Sequence, residues 1–338
     1  METLWFCLVA IMVAVYVILD GFDLGTGIVH LAVARSDAER RQTLAAIGPF
    51  WDGNEVWLIA GGGTLYFAFP ALYASAFSGF YLPLMMVLWL LILRGISIEF
   101  RSHLDNPVWA SFWDPIFCGS SALLAIFLGA ALGNVVRGVP LDSAGDFFLP
   151  LWTDFRPGAD PGILDWYTVL CAATALVVLT LHGSAWLALK TEGPVHERAG
   201  RMMERVWWIV LAATAALTIA SFAVQPRLAQ SFIERPWLAV FPALAVGSLA
   251  LIRILRDPLR RFLASAAFIG GMLTSAAAGV YPYVLPSVSE ANPGLTVFNA
   301  APAQYGLKIG LAWWIPGLLL AVGYVAFVYR RFAGKVSA

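Results

Sequence analysis

The sequence predicts an all-α polytopic membrane protein with nine transmembrane helices, its N-terminus outside and its C-terminus cytoplasmic. Three observations predict it. Of 338 residues, 60% are hydrophobic and only 12% are charged, well below the roughly 25% charge of a soluble domain. Nine segments are long enough to cross roughly 30 Å of hydrocarbon. The basic residues gather in alternate loops. Backbone groups in lipid must bond within their own segment, and no alternating barrel pattern is present, so the segments are helices.

The first segment, 4–33, lacks a basic leader and a small-residue cleavage site. Its apolar run is too long for a signal peptide, so it is read as a retained helix. Segments 53–73, 77–100, 115–137, 165–190, 204–225, 237–255, 262–285 and 308–331 follow, and residues 1–338 are expected to form one membrane domain. The connections 138–164 and 286–307 are long and rich in turn residues, as expected of ordered outer loops or a docking surface. Tryptophans near segment ends, among them Trp5, Trp152 and Trp313, suit the interfacial belt.

Orientation follows from the basic residues. The loops after the odd-numbered segments hold most of them, from Arg35 to Lys335, whereas the opposing loops hold only Arg137, Arg156, Arg227, Arg235 and Lys308. The positive-inside rule then places the odd-numbered loops in the cytoplasm. Basic and acidic residues balance at 21 each, which argues against a nucleic-acid partner or a polybasic tail. Cys7, Cys118 and Cys171 lie far apart and read as packing residues. His30, His103, His182 and His196 show no metal-ligand spacing, so no metal site is expected. His182 lies near mid-span without a convincing second axial ligand, so no cofactor is assigned to this chain.

Charges inside the first three segments carry the functional signal. They are Asp20, Asp23, Asp52, Glu55 and Glu99, with Arg94. Ionised groups in hydrocarbon are costly and usually face a bundle interior or a wet cavity. The predicted topology brings all of them to the cytoplasmic half. Asp20 with Asp23, and Asp52 with Glu55, are three residues apart and share a helical face. Gly21, Gly25 and Gly27, with Gly61 to Gly63, are expected to let the first three helices approach closely. Plain structural roles compete at each position. Asp52 suits a helix N-terminus, Glu99 with Arg101 a solvated helix end, Asp23 with Arg94 a buried ion pair, and Asp20 a headgroup-facing site.

Several stretches resemble subunit II of the cytochrome bd quinol oxidases. They are Asp20-Gly-Phe-Asp-Leu-Gly25, Gly48-Pro-Phe-Trp-Asp-Gly-Asn-Glu-Val-Trp-Leu58, Tyr73-Ala-Ser-Ala-Phe-Ser-Gly-Phe-Tyr81, Arg94-Gly with Glu99-Phe-Arg101, Gly133-Asn134 with Gly138-Val-Pro140, and Tyr281-Pro-Tyr-Val-Leu-Pro-Ser287. The resemblance runs nearly end to end. It implies a bacterial inner-membrane complex that oxidises quinol and reduces dioxygen to water. It implies that haems b, with haem d in the usual form, and most of the quinol site belong to a partner, subunit I. A small accessory subunit, membrane lipids and quinone are further implied partners. The aspartate of the Trp-Asp-Gly-Asn run lies on a cytoplasmic proton path in the family, a role carried onto Asp52. Asp23, Glu55 and Glu99 are expected as helpers on that path. Arg94, Trp51, Asn54 and Asp20 are expected in structural or electrostatic roles. Glu55 stands where some members have glutamine and Glu99 where some have aspartate. Phe298-Asn-Ala-Ala-Pro302 replaces a Trp-Asp-Ala pattern common in relatives. The competing expectations are an ion-coupled secondary transporter and a purely structural membrane scaffold.

Overall fold

A computed structural model of the chain describes residues 1–337 and is mainly helical. The helices are α1 (Glu2–Val33), α2 (Asp37–Ile47), α3 (Trp51–Ala68), α4 (Pro70–Gly79), α5 (Tyr81–Phe100), α6 (Pro107–Arg137), α7 (Trp166–Lys190), α8 (Gly193–Val224), α9 (Pro226–Glu234), α10 (Val240–Ile254), α11 (Pro258–Val280) and α12 (Gln304–Arg331). A two-stranded antiparallel ribbon, β1 (Tyr283–Pro286) with β2 (Gly294–Thr296), lies between α11 and α12. Among the described residues, eight helices are long and apolar enough to cross a membrane: α1, α5, α6, α7, α8, α10 with its preceding 3-10 turn, α11 and α12. The expected second segment is the exception. It splits at Pro70 into α3 and α4, and Asp52, Asn54 and Glu55 dilute the apolar character of the 18-residue α3.

Local chemistry explains the boundaries. Ser36 and Glu39 form a reciprocal capping box that starts α2. Asp165 and Thr168 do the same for α7. Asn106 and Asp257 cap α6 and α11, each with proline just inside the helix. α8 begins at Gly193 rather than at 204, because its basic first turns continue the helix past its apolar part.

α1 lies at the centre, against α3, α6, α7 and α11. Its glycine stripe meets α7 and α6, which corrects the expectation that it packs on the next two segments. A Cβ at Gly25 would fall 2.0 Å from the Leu179 carbonyl oxygen, and one at Gly27 would fall 2.1 Å from Ser121 Oγ. Among the described residues, and apart from the local helix backbone, no heavy atom lies within 4 Å of a Cβ built at Gly61, Gly62 or Gly63, so these glycines are not points of close helix approach. Next to the stripe, Phe22 stacks on Trp186 with centroids 4.0 Å apart and meets Phe50, Phe262 and Tyr329 edge-on. These aromatics hold α1, α7, α11 and α12 in one cluster.

α12 runs antiparallel to α3. Phe67 lies against Gly310, whereas Tyr324 lies against Gly53. The same helix is tied down at both ends. Trp5 Nε1 donates to the Leu307 carbonyl at 3.2 Å, and Lys190 Nζ donates to the Phe332 carbonyl at 2.7 Å. The two long connections are ordered against each other, with Val139 bridging Ser287.

Candidate functional site

Helical periodicity puts Tyr16, Asp20 and Asp23 on one face of α1. All three are buried. α3 lies antiparallel beside this face, since Asn54 reaches Asp23 while Thr64 Oγ1 donates to Met12 Sδ at 3.3 Å. α5 supplies Arg94, which is fully buried. Arg94 Nη1 donates to Asp20 Oδ2 at 2.9 Å and Nη2 to Asp20 Oδ1 at 2.5 Å. This bidentate geometry is the strong form of a carboxylate pair. Asp20 is therefore the arginine's partner, and not the headgroup-facing residue that its position near a helix end suggested.

Asp23 takes a different partner from the one expected. Its Oδ2 accepts from Asn54 Nδ2 at 2.7 Å, and the same amide nitrogen donates to the Leu19 carbonyl at 3.2 Å. Tyr329 of α12 donates its hydroxyl to Asn54 Oδ1 at 3.1 Å. A line of hydrogen bonds thus runs Tyr329, Asn54, Asp23. Glu55 Oε2 lies 3.9 Å from Arg94 Nη2, and the Glu55 side chain keeps 20% exposure. Arg94 therefore meets two carboxylates, and Asp23 has no ion-pair partner among the described residues. Asp23 Oδ1, Arg94 Nε and Tyr16 Oη are buried and make no hydrogen bond with the described residues. Buried polar atoms normally find a partner, often ordered water.

The remaining expected residues are less deep. Asp52 is exposed in the first turn of α3, one helical turn from Glu55. Trp51 packs over Gly95, next to Arg94. Glu99 is exposed, and among the described residues it has no ion-pair partner. Its neighbour Arg101 is not a solvated helix end: it is 3% exposed and belongs to a second ionic cluster.

That second cluster was not anticipated. Asp114 Oδ1 accepts from His30 Nε2 at 2.9 Å and from Arg101 Nε at 2.5 Å, and Asp114 Oδ2 accepts from Arg40 at 2.9 Å. Arg101 also reaches Asp37 at 2.9 Å. The Arg101 hydrogen bond holds the Asp37 carboxyl below the usual carboxylate range. Glu39 is likewise held low, by the Arg35 backbone N–H and the Arg198 guanidinium. The available signal was an aspartate just before Pro115, at the edge of an apolar segment.

Neither buried histidine is set up as a haem ligand. His182 shares its ring nitrogens with Ser265 Oγ at 2.7 Å and the Ile18 carbonyl at 2.9 Å. His30 shares its own with Thr43 and Asp114. Among the described residues, no group of three or more His, Cys, Asp or Glu is placed to hold a metal ion.

Fold and site together define a multi-pass helical membrane protein with a buried, acid-rich charge cluster. The family described as cytochrome bd terminal oxidase subunit II matches residues 1–332, and the chain belongs to it. The chain is 30% identical over 365 residues to "Probable cytochrome oxidase subunit 2" of Haemophilus influenzae, covering 99% of this chain and 95% of that one. It is 29% identical to "Cytochrome bd-I ubiquinol oxidase subunit 2" of Escherichia coli K12, with 99% and 94% covered. It is 28% identical to "Cytochrome bd ubiquinol oxidase subunit 2" of Bacillus subtilis, with 100% and 97% covered. In fold it is similar to a chain of the bd oxidase from Geobacillus thermodenitrificans, with a TM-score of 0.77, 16% identity and 98% of both chains covered. It is thus a subunit of a respiratory oxidase complex in the bacterial inner membrane, and membership implies a partner subunit I and haem in the complex.

Proposed function

We propose that this chain supports the haem-bearing subunit of a bd-type quinol:oxygen oxidoreductase and supplies cytoplasmic protons for reduction of dioxygen to water. The observation that carries the reading is the charge count at the site: Arg94 pairs with Asp20 and lies 3.9 Å from Glu55, while buried Asp23 has only the Asn54 amide. Uncompensated ionised carboxylates in a low-dielectric interior are costly, so such a site can take up and release protons. Asp52, exposed at the start of α3, is the inlet, and Glu55, one turn deeper, receives from it. Asp23 is the inner acceptor, its carboxylate oriented by Asn54. Buried atoms without a protein partner, Asp23 Oδ1 among them, favour ordered water between these groups. Arg94 with Asp20 fixes the fields, and Trp51 closes the cluster from the side. Glu99 acts only at the rim.

In this reading the chain is one membrane domain that crosses the bilayer nine times, α3 serving as the second crossing, with the N-terminus outside and the C-terminus cytoplasmic. The antiparallel packing of α3 on α1 supports that count, and the loop arginines support the orientation. Haems b, haem d where present, and the quinol site lie in the partner. An accessory subunit and bound lipid complete the assembly.

Purification tests the assignment. Expressed with its partner, the chain should co-purify with a haem-bearing subunit, and expressed alone it should carry no haem. A colourless, self-sufficient oligomer that transports a solute would overturn the oxidase reading.

A further inference from the structure

At the end of the bundle where the arginines gather, α7, α8 and the start of α11 leave a cavity of about 110 Å³. Its floor is apolar, from Ala185 and Ala188 of α7 and Met203 of α8. Its rim is basic, from Arg256, Arg261 and His196. Arg256 makes no hydrogen bond or ion pair with the described residues. Arg261 is held in place instead, its Nε donating to the Ile252 carbonyl at 3.0 Å and its Nη2 lying 3.6 Å from Glu204. His196 pairs its Nδ1 with the Ala188 carbonyl at 2.7 Å, and its Nε2 has no partner among the described residues. Glu204 is shared between Arg261 and Arg253, at 3.6 and 3.8 Å, and makes no ion pair with Arg256 or His196.

We infer that this cavity binds the phosphate group of an anionic membrane lipid. Depth and surroundings separate a lipid from a free phosphate. Ala185 is about 7 Å of helix from the end of α7, which is the headgroup level for a spanning helix. On the first turns of α11, Leu259 and Leu263 are 50% and 54% exposed and offer apolar surface to acyl chains. A basic pocket between spanning helices at this depth recognises phosphate electrostatically, and the leucines add contact that inorganic phosphate cannot use.

The test uses the complete oxidase complex in nanodiscs of phosphatidylcholine, with or without phosphatidylglycerol, followed by native mass spectrometry. Wild type should retain a phosphatidylglycerol that Arg256→Gln/Arg261→Gln loses. Gly200→Leu should lose it too. Gly200 lines the cavity, and a Cβ built there meets no atom within 4 Å, so the new side chain fills the cavity without a backbone clash. If the arginine variant fails to assemble, Gly200→Leu decides. Arg201→Gln, an exposed residue at the same end paired with Glu197, should retain the lipid. Equal retention in wild type and Gly200→Leu overturns the inference. A phosphate adduct in phosphatidylcholine alone that phosphatidylglycerol does not displace assigns the cavity to the free ion and overturns it as well.

Discussion

Arg94 closes both terminal nitrogens on Asp20, at 2.9 and 2.5 Å, and leaves Asp23, three residues on, to the amide of Asn54. Two aspartates of one short motif therefore do different jobs. Asp20 neutralises the arginine, and Asp23 is held only by neutral donors. Removing one partner of a buried pair strands the other charge and costs about 3–5 kcal/mol. Asp20→Asn and Arg94→Gln should each sharply reduce the yield of assembled complex. Arg94→Lys should recover only part of it, because an ammonium cannot reproduce the bidentate contact. Complex yield and haem content per milligram of protein check this.

Tyr329 extends the site to the last helix. Tyr329→Phe leaves Asn54 Oδ1 without its donor, at a cost of about 1–3 kcal/mol if the oxygen stays dry. The freed amide can rotate away from Asp23. The expected outcome is slower oxygen reduction with the haem spectrum unchanged. Turnover equal to wild type would remove Tyr329 from the positioning of Asp23.

The crossing of α1 and α7 is a backbone contact. Gly25→Ala would push a methyl against the Leu179 carbonyl and the backbone of Gly183. Overpacking of this kind costs about 1–3 kcal/mol or more, so the thermal midpoint of the purified complex should fall. The same measurement on Gly200→Ala, where the added Cβ meets nothing within 4 Å, should show no loss.

Acid sensitivity should arise at α2. Asp37 and Glu39 have carboxyls held below their usual range, by Arg101 and by the Arg35 N–H with Arg198 respectively. A depressed folded-state value gives stability that is present above the ordinary carboxylate range and lost as pH falls through the folded value. Melting curves should be flat through neutral pH and should drop only in acid, below the usual glutamate range. Glu39→Gln should weaken that drop, since the neutral amide has no proton to gain.

Much of this was legible in the sequence, for identifiable reasons. Long apolar runs predict nine spans, eight of which form helices long and apolar enough to cross a membrane, and the Asp20 to Asp23 and Trp51 to Asn54 stretches mark the candidate site. What failed was partner choice. Spacing places Asp20 and Asp23 on one face of α1 but does not say which of them meets Arg94. Pro70 divides the second segment, because a residue fixed at φ near −65° and lacking an N–H starts α4 rather than continuing α3. The Asp114 cluster joins α1, α2, α5 and α6 through contacts up to 84 residues apart, and no local pattern encodes such a meeting. The glycine stripe of α1 marks a close-packing surface, but small residues mark proximity and not the neighbour, which is α7 and α6.

The proposed proton supply depends on entry through Asp52. The most direct measurement is quinol-driven oxygen consumption by the intact complex carrying Asp52→Asn, with haem content determined on the same sample. Turnover should fall by about tenfold or more, a barrier increase of roughly 1.4 kcal/mol or more, with haem content and spectrum unchanged. Wild-type turnover in a fully haem-loaded Asp52→Asn complex would contradict it.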